Sequence, residues 1–183
     1  MANILGSITF GSDFGGWELI NKAADKLPQD VASGFYGAQE GYVGAKFTPI
    51  WYVAKQMVNG FNHLIIAEET RATASADKRI VALTLYIPMG DIGGKKAKII
   101  KVVDSDKPQI PEDVKTLFDK AVKSLTGAGH KPVIYVGSQI VKGVNFYIIN
   151  ESRTIVPNAK PYASVATLNL FNGQPSIKFD KLA

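Results

Sequence analysis

The chain of 183 residues contains no cysteine, so disulfide frameworks, thiol nucleophiles, thiolate metal sites and iron–sulfur clusters are all excluded. Histidine is nearly as scarce, with only His63 and His130, and neither has a His-x-x-x-His partner or an acidic cluster at ligand spacing. The residues therefore offer no catalytic constellation, no metal site and no cofactor motif, and the reading is that of a non-enzyme. Arginine is limited to Arg71, Arg79 and Arg153, and only Lys95, Lys96, Lys98 and Lys101 cluster among the cations, so the net charge of +5 does not form a stripe suited to nucleic acid. No apolar run approaches the roughly 20 residues that cross a bilayer. The first ten residues have neither a cationic start nor an apolar core before Gly11, which favours a cytoplasmic protein, or a secreted one if a leader has been removed.

What is abundant is strand-forming sequence: 46% of residues are hydrophobic, and β-branched and aromatic residues alternate with polar ones between turn residues. Strands are expected over residues 3–10, 42–58, 61–72, 79–88, 97–104, 132–142, 144–155, 162–172 and 176–180. Two helices are expected among them. Trp17, Ile20, Ala24, Leu27 and Val31 recur at steps of three and four, with Pro28 closing the last turn. The second helix starts at Pro111-Glu112-Asp113 and buries Val114, Leu117, Phe118, Ala121 and Leu125.

An internal repeat organises these elements. Residues 52–68 set against 135–151, an offset of 83, agree at nine positions: Tyr52/Tyr135, Val53/Val136, Gln56/Gln139, Val58/Val141, Gly60/Gly143, Asn62/Asn145, Ile65/Ile148, Ile66/Ile149 and Glu68/Glu151. About one identity is expected by chance. Downstream, Val81-Ala82 with Leu83 and Leu85 echoes Val165-Ala166 with Leu168 and Leu170. The chain reads as a tandem duplication of an α+β unit, one helix on an antiparallel sheet, with units over residues 1–104 and 105–183. The linker-like stretch is Ser105-Asp106-Lys107-Pro108, and the strand from Lys98 can close the first unit or open the second.

Between its first two long strands each unit carries Gln-x-Val-x-Gly: Gln56-Met57-Val58-Asn59-Gly60 and Gln139-Ile140-Val141-Lys142-Gly143. In this the sequence resembles the cystatin family, once per unit. The resemblance implies two tandem cystatin-like units and an inhibitory wedge against papain-like cysteine proteases, built from the Gln-x-Val-x-Gly hairpin, an N-terminal trunk glycine and a later hairpin loop. Gly15 and Gly16 stand at the trunk position, and Pro88-Met89 and Pro175 stand in the later hairpins, without the tryptophan that often follows the proline. The second unit has Pro108 to Pro111 where its trunk glycine would be.

The chemistry of such a wedge follows from the groove it fills. An inhibitor must present narrow, apolar, preformed loops that leave no scissile carbonyl on the catalytic thiol. Val58 and Val141 supply apolar contact, Gly60 and Gly143 the sharp turn, and Gln56 and Gln139 hydrogen bonds to loop or rim. Asn59-Gly60 matches a type I′ hairpin turn, which a duplicated fold keeps with or without a ligand. Gly60→Glu is expected to weaken inhibition while the fold survives. Two other readings share the scaffold: a non-inhibitory protein-binding module, and a latexin-like inhibitor of metallocarboxypeptidases. Exchange of the first hairpin between copies would give a domain-swapped dimer.

Several residues take plainer expectations. Adjacent Glu68 and Glu69 point to opposite strand faces as solvated charges, and Gly90 to Lys96 is a hairpin loop, since Met89 replaces the first glycine of a phosphate loop. His63 belongs to a strand and His130 to the loop after the second helix. Of Trp51 and Tyr52, only one can face the helix.

Overall fold

The computed structural model describes residues 16–182; the strand expected over residues 3–10 and the trunk residue Gly15 lie outside them. The fold is α+β and mostly antiparallel sheet. Strands β1 (Trp17–Ala23), β2 (Ala45–Val58), β3 (Gly60–Arg71), β4 (Lys78–Ile87) and β5 (Lys98–Val103) form one sheet in sequence order, and β6 (Ala128–Val141), β7 (Gly143–Thr154), β8 (Tyr162–Phe171) and β9 (Gln174–Lys181) form another. Helix α1 (Gln29–Gln39) precedes β2, and α2 (Glu112–Val122) precedes β6. β5 pairs with β4, so it closes the first sheet. Neither described helix is long and apolar enough to cross a membrane.

Both faces of each sheet are apolar, and that determines the layering. On the first sheet Tyr52, Ile65, Val81, Leu83 and Leu85 pack with Val31 and Phe35 of α1. Their neighbours along the strands, Val53, Leu64, Ile66, Ile80 and Ala82, point the other way and join Val133, Val136, Tyr147, Ile149 and Val165 of the second sheet. The far face of the second sheet carries Ile148, Ala166 and Leu168 against Val114 and Phe118 of α2. The order is helix, sheet, sheet, helix. β4 touches β6, β7 and β8, so it lies across the second sheet.

The first helix is displaced from its expected place. Trp17 to Ala23 is a strand, bulged between Leu19 and Lys22, with Asn21 at φ 54°. Those apolar residues satisfy a helical spacing and a strand face at once, and pairing with β2 decides between them. Pro28 opens α1 as its N-cap, with the Ala32 N–H donating to the Pro28 carbonyl at 2.9 Å, because a fixed φ and a missing N–H suit a helix start. The helix itself runs through Gly34 and Gly37, poor helix formers. A Cβ on Gly34 would meet Ile87 Cδ1 at 2.9 Å, so close packing on the sheet and the loop after β4 sets that residue.

The 83-residue spacing carries through the pairing. β2–β3 has register shifts at Pro49/Trp51 and Tyr52/Ala54, and β6–β7 has them at Pro132/Ile134 and Tyr135/Gly137. Farther on, Phe61 pairs with Ile87 and Val144 with Leu170, so the spacing is still 83. The Val-Ala echo of residues 81–82 with 165–166 is therefore out of register: Ala82 corresponds to Val165, and Leu85 to Leu168.

Candidate functional site

Each Gln-x-Val-x-Gly segment is a hairpin tip. Val58 pairs with Gly60 and Val141 with Gly143, leaving Asn59 and Lys142 alone at the turns. The expected type I′ turn does not form at Asn59-Gly60, because only Gly60 has positive φ, 121°. That turn type occurs instead at Asn172-Gly173 between β8 and β9, with φ values of 49° and 72°.

The glycines are fixed by packing as well as by φ. A Cβ on Gly60 would overlap the Ile87 carbonyl oxygen and come within 3.0 Å of Pro88 Cα, and one on Gly143 would overlap the Leu170 carbonyl oxygen. The expectation that the fold tolerates Gly60→Glu is thus corrected: the side chain has no room at the neighbouring strand end. Apolar contact falls to the residues beside the glycines. Met57 is 73% exposed and Val58 43%, and Ile140 and Val141 are 88% and 42% exposed, so both tips project into solvent.

Behind each tip a set of side chains holds the loop. Asn62 Nδ2 donates to Gln56 Oε1 at 2.9 Å, and the Tyr86 hydroxyl donates to the Asn59 carbonyl. In the second hairpin the Tyr147 hydroxyl donates to Gln139 Oε1 at 3.1 Å, and Asn169 Nδ2 donates to Asn145 Oδ1 at 2.7 Å and reaches the Lys142 carbonyl at 3.5 Å. Tyr86 and Asn169 occupy the same repeat position and bond the same loop carbonyl with different chemistry. Sequence reasoning missed these supports, although Asn62/Asn145 was among the nine identities.

The first hairpin has company. Trp17 pairs with Gln56, which brings Gly16 to the same sheet end, and Gly60 abuts Pro88, with Met89 65% exposed in the loop that follows β4. Gly16, Met57 to Gly60 and Pro88-Met89 therefore converge. The second hairpin differs. Pro175 lies within β9 opposite Leu170, not at a loop tip as expected, and the tip neighbour is Phe171, with Lys142 Nζ 5.1 Å from its ring centre. The run Pro108 to Pro111 makes one parallel bridge, Gln109 to Ile134, instead of a strand along the hairpin.

Titratable groups under the site are structural. Tyr52 faces α1, its hydroxyl 2.7 Å from His63 Nδ1, while Trp51 faces the other sheet and donates to Asn21 Oδ1 at 3.1 Å, as the strand alternation requires. Burial, opposed by Asp30 and assisted by Lys55, lowers the His63 pKa to about 4, and burial pushes the Tyr52 hydroxyl up. His130 lies in β6, not in a loop: the strand extends back to Ala128, and the ring stacks on Phe179 at 3.6 Å with Nδ1 2.7 Å from Ser152 Oγ. Burial lowers its pKa too.

Glu69 is not the solvated charge expected of it. It is 5% exposed and paired with Arg79, which also bonds Asp104. Glu151 is equally buried and accepts from the Ile80 N–H of the first sheet at 2.8 Å, while Arg153 donates to the Lys78 carbonyl at 2.9 Å. Paired charges thus stitch one sheet to the other. Among the described residues no group of His, Asp and Glu side chains is arranged to hold a metal ion. No family model, curated protein or solved structure matches the chain.

Proposed function

We propose that the chain is a tandem of two cystatin-like units and a reversible, non-covalent inhibitor of papain-like cysteine proteases, led by the first unit. The observation that supports this is the convergence of Gly16, the Met57–Gly60 tip and Pro88-Met89 at one sheet end, with Met57, Val58 and Met89 exposed. A groove with a thiolate at its base admits narrow apolar projections, and hairpins held from behind by Asn62 and Tyr86 lose little freedom on entering it. The backbone at the tip turns back through Gly60, so no peptide carbonyl need lie across the thiol in a cleavable pose.

The test is titration against papain with a fluorogenic peptide, beside a metallocarboxypeptidase. Val58→Asp should weaken papain inhibition by at least about 2 kcal/mol, a roughly 30-fold rise in the inhibition constant, with unfolding unchanged. Val141→Asp should leave it within about threefold. Papain inhibition that survives the first variant would refute the loop assignment. A non-inhibitory binding module is the second reading, and the glycine packing favours it: Gly60 and Gly143 are both required by the neighbouring strand ends, so the motif's most restrictive position needs no ligand to explain it.

A further inference from the structure

We propose that the enzyme inhibited by the first hairpin carries an acidic rim beside its groove, and that Lys95, Lys96 and Lys98 determine that specificity. The proposal rests on the inhibitory reading of the hairpin and adds the chemistry of the partner. Cross-strand pairing lays one row of residues across all five strands of the first sheet just behind the tip: Trp17 with Gln56, Gln56 with Asn62, Asn62 with Tyr86 and Tyr86 with Lys98. Directly opposed residues share a sheet face. The Tyr86 hydroxyl donates to the Asn59 carbonyl at the turn, so Lys98 stands one strand spacing, about 5 Å, from a residue that touches the tip.

Lys95 and Lys96 are placed by a loop that is fixed to the fold. Gly94 is buried against α1: a Cβ there would overlap the backbone of Gly34, and one on Gly37 would come within 3.1 Å of the Gly94 carbonyl oxygen. The two glycines that weaken α1 as a helix are what let the β4–β5 loop seat on it. Within the loop the Asp91 N–H donates to the Pro88 carbonyl at 3.2 Å, the Lys96 N–H to Asp91 Oδ2 at 3.0 Å and the Ala97 N–H to the Gly94 carbonyl at 3.2 Å. The lysines therefore meet a partner with their backbone already ordered, which keeps the cost of binding low.

Charge complementarity indicates the partner. Lys95, Lys96 and Lys98 are exposed, as are Met89 and Ile92 in the same loop, so apolar projections at the sheet end have cations along one flank. The acids described near them are engaged, Asp91 with the Lys96 N–H and Glu18 with Lys55 at 3.3 Å. An apolar groove with carboxylates on the matching side of its rim is the complement of that surface, and such rim charges act on the rate and selectivity of encounter. Nucleic acid is the wrong partner for it, because Arg71, Arg79 and Arg153 lie at the opposite end of the sheets, around one cavity.

The test uses papain whose thiol is reversibly blocked while its lysines are either succinylated, which turns them into carboxylates, or acetylated, which only neutralises them. After unblocking, association is followed by inhibition progress curves. The succinylated enzyme should be bound at least about 10-fold faster than the acetylated one at about 0.02 M salt, and at nearly the same rate at about 0.5 M. Lys95→Glu, Lys96→Glu and Lys98→Glu together should abolish that preference and change dissociation less than about twofold. Glutamine at the same three positions should abolish it too, with an unchanged urea midpoint, which separates the effect from a folding defect. Lys120→Glu, Lys123→Glu and Lys160→Glu, an equal change of charge on α2 and in the β7–β8 loop, should keep most of the preference. Equal rates on the two enzymes, or a preference lost equally in the α2 set, would overturn the proposal, and the hairpin reading would still stand if Val58→Asp weakened inhibition of both. Absence of inhibition of either enzyme would overturn both readings.

Discussion

His63 gives the fold a defined response to acid. Its ring is 5% exposed, lies on the helix-facing side of β3 and meets the Tyr52 hydroxyl at 2.7 Å. Its pKa falls from the ordinary 6.5 to about 4 in the folded chain, through burial, with Lys55 acting in the same sense and Asp30 against it. The folded state thus favours the neutral ring. Below pH 6.5 the unfolded chain binds a proton that the folded chain refuses, so stability falls as pH drops from 6.5 to 4 and levels off beneath that. At 1.36 kcal/mol for each tenfold change, the whole interval corresponds to about 3 kcal/mol, and the part from pH 6.5 to 5 to about 2 kcal/mol. Urea unfolding at pH 7.5 and 5.0 measures it. His63→Gln keeps a hydrogen-bonding group near Tyr52 but cannot titrate, so it should be less stable than the parent at pH 7.5 and lose about 2 kcal/mol less on acidification. His130, also lowered by burial, contributes equally to both proteins and cancels in the difference. Equal losses in the two proteins, or a histidine resonance for His63 titrating near 6.5, would refute the reasoning.

Gly60→Ala and Gly143→Ala should each destabilise by at least about 2 kcal/mol, since each adds a Cβ at positive φ against a neighbouring carbonyl; urea midpoints check this, and a neutral result at either would contradict the cross-strand packing. Glu151→Ala should cost about 2 kcal/mol or more by leaving the buried Ile80 N–H without its acceptor and removing the carboxylate partner of Arg153 Nε, measured in the same way, while Glu68→Ala, which removes only a partly exposed partner of Lys78, should cost under about 1 kcal/mol.

Most strands were legible because alternation and turn residues agree along β2 to β4 and β6 to β9, where local preference and long-range pairing point the same way. Helix α2 was legible for a similar reason: proline, then acids, then Val114 and Phe118 on one face. Helix α1 was not. Residues 29–39 hold two glycines and only Val31 and Phe35 as large buried anchors, whereas residues 17–23 carry Trp17, Leu19 and Ile20 at spacings that fit either period. The competing assignments differ only in what the segment meets, and β2 lies far along the chain. At the candidate site the positions of the tips were foreseeable, but the exposure of Met57, Val58, Ile140 and Val141 was not, since the sequence left their burial between the sheets equally open. The reason for the glycines was not, since it depends on where Ile87 and Leu170 end.

The repeat also shows how far sequence identity carries a role. Glu68 and Glu151 are one of the nine matched pairs and hold the same place in their strands, yet Glu68 bonds Lys78 at 2.6 Å near the surface while Glu151 is buried against the Ile80 N–H. Their strands fold alike; their neighbours differ. The sheets meet face to face, but β4 crosses β6, β7 and β8, so equivalent residues on the inner faces do not meet equivalent partners. Two sheets of related sequence packed together in this way come under two sets of constraints, one inside each sheet that keeps matched residues matched, and one between the sheets that pulls them apart. Glu69 illustrates the second effect from the other side: Asn/Glu/Ser at residues 150–152 faces the first sheet and the second helix layer as fully or nearly buried groups, whereas Ala67-Glu68-Glu69 buries the acid one residue later, against Arg79 and the turn after β5. Asymmetry of this kind extends to the loop ends. A proline-rich approach and a β8–β9 turn of two residues leave the second hairpin without the neighbours that Gly16 and Pro88 give the first, which is why the two Gln-x-Val-x-Gly tips, alike in backbone, are not expected to act alike.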